Sequence, residues 1–352
     1  MRALVLSGGE GSRLRPITHT NAKQLIPIAN TPILFHVLGA IRDAGITEVG
    51  IVVGQTAAEV EAAVGDGSAW GLDVTYIHQE APLGLAHAVL TAADFVRGRP
   101  FVMYLGDNVL LEGITGFVRG FERHGPNAQI FLARVPEPER FGVAILQGDR
   151  VVRLVEKPRE HLSDFALVGV YLFDDSVLEA VASIAPSWRN ELEITDAIQW
   201  LIDHGKTVRA EMVSGWWKDT GRPEDLLEAN RMMLSVLEPR IEGEVDEASE
   251  LRDVVVVEPG ATVVRSRLEG PVIVGADTLV EASMIGPNVS LSPGCRVSGS
   301  AIEDSIVMGG CTVIGVDGIG GSILGRNVEV RHSGRNRWHR LVVGDQSQVE
   351  VD

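Results

Sequence analysis

From Val257 onward, apolar residues return every five or six positions, and that spacing restricts the C-terminal third to one architecture. The positions are Val257, Val263, Leu268, Ile273, Leu279, Ile285, Leu291, Val297, Ile302, Val307 and Val313. Turn formers fill the gaps, as in Glu258-Pro259-Gly260, Gly286-Pro287-Asn288 and Ser292-Pro293-Gly294. Strands of an antiparallel sandwich stand further apart. A hexapeptide-like period with turn residues at fixed offset builds a parallel β-helix. Cys295 and Cys311, in the matching strings Gly-Cys-Arg-Val and Gly-Cys-Thr-Val, fall one coil apart and are expected to stack as reduced thiols.

Upstream the grammar is different. Residues 1–240 alternate strand and helix signals, which argues a mostly parallel sheet with helices on both faces. Ala3–Leu6 is a short apolar strand, and Thr31-Pro32 opens a helix that Gly45 stops. Val49–Val53 is a buried strand, and Thr56 with Glu59 forms a capping box for the next helix. Strands at Val74–His78 and Phe101–Leu105 flank a helix that starts at Gly84. Consecutive strands over 128–173 predict a mixed edge, and helices near 175–184, 194–204 and 223–238 close this half. Two domains are expected, 1–240 and 241–352.

Charge narrows the function. Lys and Arg number 31 against 48 Asp and Glu, a net charge of −17. Such a chain is a poor binder of nucleic acid or anionic membrane, so an anionic substrate must be held by a few placed cations, backbone N–H groups or a metal. Only Lys23, Lys157, Lys206 and Lys218 are lysines, and three of them lie in the segments below. Two cysteines and an N-terminus without a signal-peptide pattern predict a cytoplasmic protein.

Leu6-Ser7-Gly8-Gly9-Glu10-Gly11-Ser12-Arg13-Leu14-Arg15-Pro16 directly follows the first strand. Its glycines allow backbone N–H groups to form an anion nest at a strand's carboxyl end. A Gly-rich turn alone is equally an ordinary strand–helix connection. Arg13, Arg15 and Lys23 beside it point to a triphosphate. Gln79, at another strand end before Pro82 and Gly84, can hydrogen-bond a base edge. Asp107, just past a buried strand and a glycine, suits a Mg²⁺ ligand, with Asp219 in Trp216-Trp217-Lys218-Asp219 as the second carboxylate. Glu156 and Lys157, stopped by Pro158, suit sugar hydroxyls and a phosphate.

Together, and in order, these motifs resemble the sugar-1-phosphate nucleotidyltransferases over essentially the whole chain. Ser12 stands where the family more often has Thr. The resemblance implies a Rossmann-like sheet followed by a left-handed β-helix, and transfer of a nucleotidyl group from dTTP to glucose 1-phosphate. It implies Mg²⁺ held by Asp107 and Asp219, and Arg13 and Lys23 on the phosphates. Leu6, Gly8, Gly9, Gly11, Ser12, Gln79, Pro82 and Gly84 would bind nucleotide. Gly142, Glu156, Lys157, Gly169, Thr195 and Trp217 would bind the sugar phosphate. Every catalytic candidate lies before residue 222, so the β-helix is expected to serve assembly of a homo-oligomer, or regulation, and not the chemistry. Alternatives are the same reaction with UTP or another nucleotide and sugar, and acyl transfer on the β-helix using His332 or His339 beside Arg335 and Arg337.

Overall fold

A computed structural model describes residues 1–9, 11–332 and 340–351. The chain forms two compact units, Met1–Glu10 with Leu34–Asp219, and Gly11–Ile33 with Thr220–Asp352. Among the described residues no helix is long and apolar enough to cross a membrane.

The first unit is built on a nine-stranded mixed sheet. In chain order its strands are β1 (Arg2–Leu6), β2 (Glu48–Val53), β3 (Asp73–His78), β4 (Phe101–Leu105), β6 (Ala128–Arg134), β7 (Gly142–Gln147), β8 (Arg150–Glu156), β9 (Phe165–Phe173) and β10 (Val208–Met212). A separate two-stranded ribbon pairs β5 (Asn108–Leu110) with β11 (Trp217–Asp219). The order β8-β7-β9-β4-β1-β2-β3 is parallel from β4 to β3 and antiparallel from β4 through β9 to β8. The mixed edge expected from 128–173 is therefore present. Strands flanked by helices read as continuous apolar runs, and Ala3, Leu4 and Val5 are fully buried.

Helices α1 (Ile33–Asp43), α2 (Ala57–Val64), α3 (Leu85–Thr91), α4 (Thr115–His124), α5 (Ser176–Ser183) and α6 (Ile194–Asp203) follow the sequence periodicity, except for α4, which sequence reasoning missed. It buries Val118 and Phe121 and stacks Phe117 on buried Phe131, but the amphipathic run is only ten residues long and has no side-chain cap to mark its start. Thr56 precedes α2 as expected, but its side chain makes no cap hydrogen bond, so the Thr56 half of the capping box is missing. α3, α5 and α6 pack Val89, Val181 and Ile198 into one cluster with Leu4, Phe101 and Met103.

The second unit is the β-helix, preceded by α7 (Pro223–Ser235). Its parallel strands form two seven-stranded sheets and one four-stranded sheet, the pattern of a left-handed β-helix. One column stacks Val257, Val274, Leu291, Val307, Leu324 and Val343, at separations of 17, 17, 16, 17 and 19 residues. A second stacks Val263, Val280, Val297, Val313, Val330 and Val349. The third stacks Leu268, Ile285 and Ile302.

Two positions differ from the predicted register. Val274 and Val280 face the core, and their neighbours Ile273 and Leu279 do not. Ile273 is apolar because its outward face packs with Ala29, Leu234 and Val256. Cys295 and Cys311 stack as expected: both are buried free thiols, and Arg296 N donates 2.8 Å to Cys311 O across the ladder. Buried serines run along one corner, where Ser266, Ser283 and Ser300 hydroxyls accept from the N–H of Ser283, Ser300 and Val316 on successive coils. Each thereby satisfies a backbone donor that the turn leaves without a strand partner.

Candidate active site

Because β1, β2, β3 and β4 are parallel, their carboxyl ends open on one edge, where an open α/β sheet takes its ligand. Leu6 ends β1 and leads into Gly8 and Gly9; Gly54 follows β2, Gln79 follows β3 and Asp107 follows β4. The loop lies close against its neighbours. A Cβ on Gly54 would stand 3.0 Å from Gly8 O, and one on Gly8 would stand 3.3 Å from Gln79 Oε1.

Gln79 is held by two contacts. Its Nε2 donates 2.8 Å to His87 Nδ1 and 3.4 Å to Gly84 O. Both amide hydrogens are thus engaged, and Oε1 is presented as an acceptor toward Gly8. This orientation is assigned from the hydrogen-bond pattern. Sequence reasoning gave His87 no role; its place three residues into α3, eight after Gln79, is the only signal. Pro82 is exposed in the turn before α3. The room expected beside Gly84 is partly filled: its φ is +106° and a Cβ there would lie 2.4 Å from Leu192 O.

The two predicted carboxylates are brought near each other by the ribbon. Its register sets Asp219 opposite Asn108 and Trp217 opposite Leu110, so Asp219 lies across from the neighbour of Asp107. Asn108 is buried, and its Nδ2 donates 3.0 Å to Asp107 Oδ1 while its Oδ1 accepts from Trp217 Nε1 at 2.7 Å and Gly169 N at 3.2 Å. Gly169 is small because a Cβ would lie 2.5 Å from the Asn108 amide. Trp217 also meets Phe141 edge-on at 5.5 Å. Two carboxylates on adjacent strands are hard oxygen donors. Among the described residues no cluster of three or more His, Cys, Asp or Glu could hold a metal. A pair of acids completed by water and phosphate oxygens fits Mg²⁺ and not a structural zinc.

Glu156 is the centre of a second cluster. Lys157 Nζ lies 3.7 Å from its Oε1, Arg189 Nη1 3.4 Å from the same oxygen, and Thr195 Oγ1 donates 3.4 Å to Oε2. Arg189 also contacts Glu191 at 2.8 Å and buried Glu193 at 3.3 Å. Burial holds the Glu156 carboxyl above the usual carboxylate range; Lys157 and Arg189 pull it back, and Glu193 adds to the rise. Gly142 makes the cluster possible, since a Cβ there would lie 2.6 Å from Thr195 Cγ2. Arg189 escaped sequence reasoning because it is one arginine among 27 with no motif around it.

The remaining predicted residues belong to the other unit. Gly11, Ser12, Arg13 and Lys23 lie in a run of 3₁₀ turns, Ser12–Leu14, Ile17–His19 and Lys23–Leu25. Leu14 and Ile17 are buried while Ser12, Arg13 and Arg15 are exposed. Gly11 has φ +64°, and a Cβ on it would lie 3.0 Å from Lys23 Cβ. Thr18 Oγ1 donates 2.8 Å to Gly11 O and holds the first turn to the second. His332, the acyl-transfer candidate, is exposed; His339, Arg335 and Arg337 lie outside the described residues.

The model of the nucleotidyl transferase family matches residues 2–236. Two curated relatives named glucose-1-phosphate thymidylyltransferase, from Streptomyces griseus and Streptomyces antibioticus, are each 54% identical over 100% of this chain and 99% of their own. A crystal structure titled as a putative glucose-1-phosphate thymidylyltransferase from Bacillus anthracis, in complex with a sucrose, superposes with a TM-score of 0.64 at 34% identity. It covers 68% of this chain and 98% of that one.

Proposed function

Because the chain belongs to the nucleotidyl transferase family, we propose that it joins dTTP to α-D-glucose 1-phosphate, forming dTDP-glucose and releasing pyrophosphate. The observation that carries this reading is the 54% identity, over the whole chain, to thymidylyltransferases of that name.

A phosphate oxygen of the sugar attacks the nucleotide α-phosphorus in line, and the bond to pyrophosphate breaks with its electron pair. The attacking oxygen is already anionic at neutral pH, so catalysis is positioning and charge stabilisation with no general base. Gly8, Gly9, Gly11 and Ser12 supply loop donors for the phosphates. Arg13 stabilises the departing pyrophosphate, and Lys23 neutralises charge at the α-phosphate. Gln79 Oε1, aimed by His87, accepts from the N3–H of a pyrimidine. Glu156 accepts from sugar hydroxyls, and Lys157 with Arg189 brings positive charge to the sugar phosphate. Asp107 and Asp219 would hold Mg²⁺, which supplies charge neutralisation to the triphosphate. Asn108 holds the Asp107 carboxylate in place.

Oε1 of Gln79 meets thymine and uracil alike, and the one methyl that separates dTTP from dUTP is worth only about 1–3 kcal/mol; UTP, which differs also by its 2′-hydroxyl, is the nearest competitor. Two cysteines in 352 residues suit a reducing, cytoplasmic setting. A homo-oligomer is proposed on the ground that a solenoid needs its open end covered. Pyrophosphate release with glucose 1-phosphate tests the reading across dTTP, UTP, ATP and GTP. The highest kcat/KM is expected with dTTP; no release with dTTP would overturn it.

A further inference from the structure

The segment carrying Arg13 and Lys23 is bound to one corner of the β-helix. That corner recurs on six coils, and its turn begins with Pro259, Ala276, Pro293, Gly309, Arg326 and Asp345 in succession. Only the last of these is an acid. Asp345 Oδ1 accepts 2.8 Å from Arg326 N, a contact internal to the coils. Its Oδ2 accepts from Thr20 Oγ1 at 3.0 Å and from Asn21 Nδ2 at 2.8 Å. Asn21, which is buried, also donates to Ile17 O at 3.3 Å. Beside it Gly344 admits the Pro16 carbonyl, 3.1 Å from where a Cβ would stand.

A second anchor lies on the same corner three coils earlier. Asn30 Nδ2 donates 2.8 Å to Leu291 O, and its Oδ1 accepts from Ser292 Oγ at 3.2 Å. Asn230 of α7 accepts from Ala29 N at 2.8 Å and from Ser290 Oγ at 2.6 Å. Three coils at the spacing of neighbouring strands amount to about 14 Å. Residues 16–30 therefore run along the corner between two fixed points, with Lys23 between them and Arg13 just beyond the Asp345 end.

We propose that Asp345 is a positioning residue for the nucleotide: through Thr20 and Asn21 it sets the turns that present Arg13 and Lys23. The inference rests on the reading of those two cations as phosphate ligands. It gives the β-helix a part in the chemistry that the repeat pattern alone does not suggest. Asp345 holds two consecutive residues of the segment through one charged oxygen, and hydrogen bonds to a carboxylate are stronger than the neutral ones that Asn30 and Asn230 make on the same corner.

The test uses the full-length chain with dTTP and glucose 1-phosphate. Asp345→Ala is expected to lower kcat/KM for dTTP by about ten- to a hundredfold, with KM for glucose 1-phosphate within about twofold. Asp345→Asn, which keeps one acceptor, should recover part of the loss. Amide hydrogen exchange of residues 16–25 should rise in Asp345→Ala and stay low elsewhere in the β-helix. Glu258→Ala is the control, because Glu258 Oε2 accepts 2.9 Å from Ala276 N at the same corner, a contact internal to the coils. If Asp345→Ala matched Glu258→Ala in nucleotide kinetics, the proposal would be overturned. If instead Arg13→Ala kept the wild-type kcat/KM for dTTP, the reading of the cations would fail and the positioning role with it. That failure is distinguished by an exchange change at 16–25 that persists in Asp345→Ala.

Discussion

The mixed-sheet unit and the β-helix unit hold their polar groups by different means. In the first, Asp107, Gly8 and Gln79 follow β4, β1 and β3 of one parallel run, with β2 between the last two, and Asp219 is set by the register of a ribbon. Backbone ladders fix where each side chain begins, and a one-residue slip would exchange the side chains packed on the two helix layers. In the second, Arg13 and Lys23 lie in short 3₁₀ turns anchored by Asp345, Asn30 and Asn230. Placement by ladder is resistant to single substitutions remote from the site. Placement by side-chain anchors is open to them.

The largest expected effect is on the ladder-held acids themselves. Asp107→Asn or Asp219→Asn should reduce kcat by about a thousandfold or more with folding intact, measured as Mg²⁺-dependent pyrophosphate release and circular dichroism. Near-normal turnover of either variant in a chelator would sink the metal assignment. Next comes the register of the solenoid. Ile285→Ala should cost about 2–5 kcal/mol of stability, whereas Leu279→Ala should cost under about 1 kcal/mol, because Ile285 is in the core column and Leu279 is half-buried. Equal losses in urea unfolding would show the column to be misread.

His87→Ala should weaken use of dTTP by about tenfold, since the Gln79 amide loses the contact that orients it. A nucleotide panel checks this, and an unchanged preference would remove His87 from base reading. The smallest effect concerns pH. The folded pKa of Glu156 lies above 4.5, so between 4.5 and that value the native state holds more protons than the unfolded chain. Stability should fall as pH rises through this window, and Glu156→Gln should remove the dependence. A melting-temperature profile unchanged by the substitution would show that Glu156 does not titrate as its burial implies.

The parts legible in the sequence were those written as local patterns. The period of the β-helix is visible because one corner repeats a turn former at fixed offset, at Gly260, Asp277, Gly294, Gly310 and Asn327, and the strand-end positions of Gln79 and Asp107 follow from short apolar runs stopped by polar residues. Register failed at Ile273 and Leu279, where apolar residues stand side by side and the period cannot choose between them. Val272-Ile273-Val274 is apolar on both faces because α7 and Ala29 cover the outer one. The Thr56 half of the capping box failed because Thr56 sits at φ −95° and ψ 20°, away from the extended backbone of an N-cap residue. Arg189 and the anchors of residues 16–30 were illegible for a different reason. The anchors pair with groups remote in sequence, 325 residues away for Thr20 and Asp345, and Arg189 reaches Glu156 across 33 residues while its nearer partners Glu191 and Glu193 form no motif with it.

That separation has a consequence in time. Synthesis proceeds at about 5–20 residues per second, so residues 16–30 leave the ribosome roughly 15–65 seconds before Asp345 does. During that interval the mixed sheet can already pair, while the turns bearing Arg13 and Lys23 lack their last anchor. A nascent chain stopped short of its final coils would display strand-end acids and a base-reading glutamine without a settled pair of cations. Completion of the nucleotide loop would thus be among the last events in the birth of each molecule.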